Sequence, residues 1–199
     1  EGGVNCPSEG YHKAIREICD EKKILLIFDE IQVGMGRTGR LFAYEHEGVE
    51  PDMLTLAKSL AGGVPIGALL IKKEIAESFE PGDHASTFGG NPLATAAGVA
   101  ALTAILGEGM LENCQKVGDY FISRLEEVKR KFPFIQEVRG KGLILGIELK
   151  MDGGPFVKEM MQKGFLINCT MGNVLRFLPP LIVTKEEVED LFKQAGEVK

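Results

Sequence analysis

The four cysteines, Cys6, Cys19, Cys114 and Cys169, are scattered, and no two share a C-x-x-C spacing. That pattern argues against zinc or a disulfide framework and for reduced thiols in a cytosolic protein. Only three histidines occur, His12, His46 and His84, and none has a paired spacing, so no metal site is supported. Positive charge is in the minority. With 23 basic residues against 29 acidic ones the net charge is -6, and no general attraction to nucleic acid or an anionic membrane is expected. Long hydrophobic runs are missing too: stretches such as Ile24–Phe28 fall far short of the ~20 apolar residues that span a bilayer. No basic-then-apolar leader opens the chain, so secretion is not indicated. No internal repeat is evident.

What is present is the composition of an ordinary globular protein. The 199 residues are 44% hydrophobic and 26% charged, enough for one large domain or one and a half smaller ones with a sizeable core. Glycine is abundant, at 25 residues, and clustered rather than periodic, which points to tight loops at a site. The opening Glu1-Gly2-Gly3-Val4 has no methionine and reads like the middle of a loop, so the chain is expected to be the C-terminal piece of something longer.

Periodicity divides the chain into two regions. Residues 8–22 read as an amphipathic helix with Ser8 as its N-cap. Ile24–Phe28 is a continuous apolar run ending in Asp29 and Glu30, the pattern of a strand buried on both faces of a parallel sheet. A short helical stretch is expected near Leu41–His46, further strands at Met53–Ala57 and Pro65–Ile71, and an alanine-rich helix at Pro92–Leu106. Strand, loop and helix alternate as in an α/β layered domain. The character changes near Gly107–Gly109, after which a long amphipathic helix over Met110–Lys131 begins a mixed α+β region. It continues with strands at Ile135–Val138 and Leu143–Leu149, a helix at Pro155–Lys163, and short strands at Phe165–Asn168 and Val174–Phe177. A final helix is capped by Thr184 through a Thr-x-x-Glu box with Glu187.

Several residues have the chemistry of a site. Lys58 follows an apolar strand and precedes a loop of small residues, at the strand end where open α/β sheets place ligands. A desolvated amine there suits Schiff-base chemistry, although position alone favours the ordinary explanation, a lysine escaping to solvent. Asp29 ends the earlier strand. Alone it reads as a cap or surface acid, but a carboxylate and a lysine at two neighbouring strand ends are harder to dismiss together. Gly34–Gly39 formally matches the dinucleotide pattern G-x-G-x-x-G, but five residues separate it from the strand and the following helix is short, so the match is weak and a nicotinamide-dependent dehydrogenase stays only as a minor alternative. Ser86–Pro92 offers hydroxyls and free N–H groups for an anion, or simply an N-cap. Arg176, inside an apolar strand, needs either a substrate carboxylate or a structural ion pair.

Taken together, Asp29-Glu30-Ile31-Gln32, Thr55-Leu56-Ala57-Lys58, Ser86-Thr87-Phe88-Gly89-Gly90-Asn91-Pro92 and Leu175-Arg176-Phe177-Leu178-Pro179-Pro180 resemble the class III aminotransferases. These are pyridoxal-phosphate enzymes of the aspartate-aminotransferase fold. The resemblance covers essentially all 199 residues. It implies an α/β fold in which residues 1–107 are the C-terminal part of a large cofactor-binding domain and 108–199 a small α+β C-terminal domain. It implies that Lys58 holds pyridoxal 5'-phosphate as a Schiff base and later moves the proton between Cα and the cofactor. Asp29 pairs with the pyridine nitrogen, Ile31 packs on the ring face, and Gln32 lies near the phenolic oxygen. Thr87 reaches the phosphate of the neighbouring subunit in a homodimer with shared active sites. Ser86 lies beside substrate, Arg176 clamps its α-carboxylate, and Glu1 corresponds to a glutamate that pairs with that arginine in ornithine-type members. Within the family, Gly142–Leu149, Leu166–Asn168 and Val174–Phe177 are most similar to enzymes moving the terminal amino group of N-acetylornithine to 2-oxoglutarate, in arginine biosynthesis. Ornithine, succinylornithine and 4-aminobutyrate are the alternative donors, and a noncatalytic role in assembly is the other alternative. The upstream phosphate loop, ring-stacking aromatic and distal-carboxylate arginine are absent from this sequence, so this piece alone is expected to bind cofactor poorly and to be inactive.

Overall fold

Helix α1 (Tyr11–Lys22) starts three residues after its expected cap because Gly10 adopts φ 79° and no side chain caps the helix. The Ser8 carbonyl accepts the Tyr11 N–H at 3.1 Å, so Ser8 closes a turn instead. The computed structural model describes residues 2–196, which form two units: residues 7–110, and residues 111–196 together with 2–6.

In residues 7–110, strands β1 (Ile27–Asp29), β2 (Met53–Leu56) and β3 (Ala68–Ile71) form a sheet in that order. Strand β1 runs parallel to β2, whereas β3 is antiparallel to it. The expected strand burial on both faces is not observed. Leu26 and Phe28 pack with Ile15, Cys19 and Val49, but Ile24, Leu25 and Ile27 are exposed. One face of β1 packs on α1 through Phe28, and Ile27 on the other face is exposed. The junction of α1, β1 and β3 is tied by Asp52, which accepts the Leu26 N–H and Arg16 Nη1, both at 2.8 Å, and Lys72 Nζ at 3.1 Å. Burial alone would push the Asp52 carboxyl up. The Leu26 N–H, Arg16 and Lys72 outweigh it and hold the pKa at about 2. The short helix α2 (Lys73–Ala76) follows β3, and α3 (Pro92–Gly107) begins with the Asn91 side chain accepting the Ala94 N–H at 3.0 Å.

In the other unit α4 (Met110–Lys131) precedes the sheet β4 (Ile135–Lys141), β5 (Ile144–Leu149), β7 (Val174–Phe177) and β6 (Asn168–Thr170), antiparallel in the order β4-β5-β7-β6. Helix α5 (Gly154–Gln162) and helix α6 (Lys185–Gly196) complete it. The core joins Phe121 and Leu125 of α4 to Leu145, Leu149, Phe177 and Val188, where each buried large side chain stabilises the fold by roughly 1.5–3 kcal/mol. Close approach explains Gly118: a Cβ there would lie 2.4 Å from the Gly142 carbonyl oxygen. The expected cap of α6 is formed reciprocally, Thr184 N to Glu187 Oε2 at 2.8 Å and Glu187 N to Thr184 Oγ1 at 3.2 Å. Strand β6 begins three residues later than the apolar run from Phe165 suggested. Phe165 and Ile167 instead pack against the core beside the strand.

Candidate functional site

The parallel pairing of β1 with β2 puts their carboxyl ends side by side, with Asp29 in register with Thr55. The ladder continues one step further, the Glu30 N–H bonding the Thr55 carbonyl at 3.0 Å. Lys58 begins a one-turn 3-10 helix, Lys58–Ala61, two residues beyond the end of β2. Its φ of 47° is left-handed, a conformation that costs a non-glycine residue about 1–2 kcal/mol and that clusters at functional sites. The turn is held by the Leu60 N–H on the Ala57 carbonyl, and α3 packs against it. Asp29 is exposed and accepts the Ile31 N–H at 3.0 Å, which fixes the carboxylate at the mouth of the strand. Ile31 and Gln32 follow directly and are half-buried. The Thr55 hydroxyl is a buried oxygen with no hydrogen-bond partner. Register puts it on the same face as Asp29.

Two residues of this region carry no assignment from the sequence. Thr55 is one. Glu30 is the other: it is 3% exposed, and its carboxylate accepts the Ala43 and Tyr44 N–H groups at 2.6 and 2.9 Å. Burial pushes its pKa up against the lowering effect of those two bonds. Glu30 therefore staples the chain beyond the glycine run back to the strand end. Gly34 is needed at the start of that run, since a Cβ would lie 2.8 Å from the Glu30 carbonyl oxygen and 3.0 Å from Leu56. The run closes on itself through Gly39 N to Gly36 O at 2.9 Å and leads only to a 3-10 turn, Ala43–His46. No helix opens at the third glycine, as a dinucleotide site would need. Nothing in local sequence signalled Glu30 apart from its place beside Asp29.

Ser86 and Thr87 lie in an exposed loop before α3. Ser86 Oγ accepts the Gly89 N–H at 2.8 Å, and Asn91 Nδ2 donates to the Phe88 carbonyl at 2.9 Å. The loop is thus preformed, and it enters the helix that packs on the Lys58 turn.

In the second unit Arg176 lies on β7 and is half-buried. Its Nε donates to Asn168 Oδ1 at 3.1 Å across the β6–β7 pairing. Register puts its side chain opposite the core face that carries Leu175 and Phe177. Glu1 lies outside the described residues. An apolar cavity of about 560 Å³ between Phe165, Ile167, Leu178 and α6 is lined by none of the residues named for the site. Among the described residues no histidine, cysteine and acid cluster could hold a metal ion, and no single helix is long and apolar enough to cross a membrane.

An acid and a lysine at adjacent parallel strand ends, followed by a hydroxyl-rich loop and an arginine in a second sheet, define a class of protein that comparison identifies. The family described as aminotransferase class-III matches residues 1–197, and the chain belongs to it. Acetylornithine aminotransferase of Methanocaldococcus jannaschii is 55% identical over 200 residues, covering 100% of this chain and 50% of that protein. The solved acetylornithine aminotransferase of Elizabethkingia anophelis superposes with a TM-score of 0.91 at 38% identity, over 98% of this chain and 51% of that one. Ornithine aminotransferase of Toxoplasma gondii gives 0.92 at 43% identity, over 97% of this chain and 46% of that one, and is described with partial occupancy of PLP at its active site. The chain spans about half the length of the curated relatives it matches.

Proposed function

We propose that this chain is part of a cytoplasmic, homodimeric pyridoxal-phosphate transaminase that moves the terminal amino group of N-acetylornithine to 2-oxoglutarate in arginine biosynthesis. The observation that carries the reading is the placement of Asp29 and Lys58 at the carboxyl ends of two hydrogen-bonded parallel strands. The acetylornithine aminotransferases at about half identity support the choice of donor. The division into a large-domain part, residues 1–107, and a small domain, residues 108–199, belongs to the same reading.

The residues present suit the cofactor. An exposed carboxylate anchored at its strand end, a lysine held in a strained conformation, and a buried hydroxyl left unpaired beside them are what a heteroaromatic aldehyde with a protonated ring nitrogen calls for. When bound, pyridoxal phosphate supplies an electron sink for the bond broken at the amine-bearing carbon. Lys58 Nζ would hold the group covalently and then accept and return the proton at that carbon. Asp29 would keep the ring nitrogen protonated, Ile31 would pack on the ring, and Gln32 would face its phenolic oxygen. Thr87 would donate to the phosphate of the partner subunit, while Ser86 and Arg176 would orient the substrate and Glu1 would pair with Arg176 between half-reactions.

Borohydride reduction of the full-length protein followed by peptide mapping tests this directly. The label is expected on Lys58, and a label on any other lysine overturns the reading. Lys58→Ala should lower turnover by about a thousand-fold or more, and Asp29→Asn by about a hundred-fold, with the fold intact by circular dichroism. A screen of N-acetylornithine against ornithine, succinylornithine and 4-aminobutyrate then decides the donor, through the ratio of kcat/KM values.

A further inference from the structure

Four residues form one row across the second sheet. Arg139 of β4 pairs with Gly146 of β5, Gly146 with Arg176 of β7, and Arg176 with Asn168 of β6. Residues opposite one another in a ladder project from the same face, so the row reads Arg-Gly-Arg-Asn on the face away from the core. The gap at Gly146 is filled by a distant part of the chain. A Cβ on Gly146 would lie 3.2 Å from Val4 Cβ and 3.4 Å from its Cγ2, which places Val4 over the glycine, between the two arginines.

Arg139 is what holds the segment there. Its Nε donates to the carbonyls of Gly3 and Val4 at 2.9 and 3.0 Å, and its Nη2 donates to Gly3 at 2.7 Å. Its Nη1 meets Glu148 at 2.5 Å and Glu137 at 2.7 Å. The side chain is only 11% exposed. The guanidinium fork is therefore spent on two backbone carbonyls and two carboxylates, and a point-charge lysine cannot reproduce that. The strap is costly to hold. Gly3 has φ 99° and Val4 φ 54°, and the left-handed region is a genuine outlier for a β-branched residue. Such strain persists only where the surroundings impose it. Gly3 is accordingly buried, and a Cβ there would meet Arg139 Nη2, Val174 and Met171 within 3.3–3.7 Å.

We propose that Arg139 and Gly146 are positioning residues for substrate selection. They clamp residues 3–4 as a strap on the face that carries Arg176, and so set the wall against which a substrate carboxylate meets that guanidinium. The consequence for substrate rests on the reading of Arg176 as the carboxylate clamp; the clamping itself does not. The reading above gives neither residue a part in the Lys58 chemistry, so the effect is expected in substrate affinity and not in turnover.

The test uses the full-length enzyme with two variants that attack the strap from different sides. Arg139→Lys keeps the charge between Glu137 and Glu148 but loses the fork; Gly146→Val leaves Arg139 alone and pushes on Val4. Hydrogen–deuterium exchange over residues 2–6, which needs no activity, should accelerate by about tenfold or more in both, because hydrogen bonds from a charged donor close that opening in the parent. KM for 2-oxoglutarate should rise by about fivefold with kcat within about twofold, the pattern of lost binding common to ground and transition states. Unchanged exchange at residues 2–6 overturns the clamp. Faster exchange with unchanged KM overturns the role in substrate selection, because a merely structural contact would do only that. Borohydride labelling of the same preparations separates this outcome from failure of the aminotransferase reading, which alone predicts a label on Lys58.

Discussion

Glu30 shows how much of this site is held by a residue with no chemistry of its own. Its carboxylate is buried and receives two backbone N–H groups from the far side of the glycine run. Removing it leaves both donors without a partner in a buried setting, where each lost bond to a charged group is worth about 1.5–3 kcal/mol. Glu30→Ala is therefore expected to destabilise the full-length protein by about 3 kcal/mol, read as a lowered urea midpoint at unchanged m value. Asp29, its neighbour, is exposed and bonds only locally to the Ile31 N–H among the contacts described above. Asp29→Asn should leave the urea midpoint nearly where it was while activity falls. Two adjacent acids thus separate into one that holds the loop and one that stands exposed at the strand end. The sequence motif quoted both, and only burial distinguishes them.

At the scale of elements, the sequence was most legible where the signal is local. The long helix α4 and strand β7 have the bounds that periodicity indicated, and the Thr184–Glu187 box forms as its spacing predicts. It was least legible where a partner lies far along the chain. The burial of β1 depends on what covers the sheet, and the antiparallel direction of β3 is not encoded in its own apolar run. Asp52 belongs to this scale, since it ties α1 to the start of β1 and the end of β3. Its folded pKa of about 2 lies below the ordinary 3.8, so the ionised form is favoured in the folded state. The stability it adds is present above about pH 4 and is lost as pH falls through 2, an amount of about 2 kcal/mol. Asp52→Asn should be less stable than the parent at pH 6, with the gap closing as pH approaches 2. Denaturant titrations at several pH values would check this.

Across the whole molecule, net charge and exposed apolar surface act together. The chain carries -6 at neutral pH and reaches neutrality near pH 5.2. Ile24, Leu25, Ile27, Leu69, Leu93 and Val99 are all exposed. Charge repulsion is what opposes their association, so light scattering from the isolated 199-residue chain should peak near pH 5 and fall as pH rises to 8. A scattering profile flat across that range would show that these side chains do not drive association.

The sequence by itself determined the family motifs and the elements with strong local signals, such as α4, β7 and the capped start of α6, because helical period, capping boxes and short motifs depend on neighbours a few positions apart. Only the tertiary structure decided which strands lie side by side, that Asp29 and Lys58 share one edge, and that Arg139 reaches carbonyls 136 and 135 positions away. Those facts follow from strand register and backbone hydrogen bonding between distant segments, and neither leaves a periodic trace in the residues that make them.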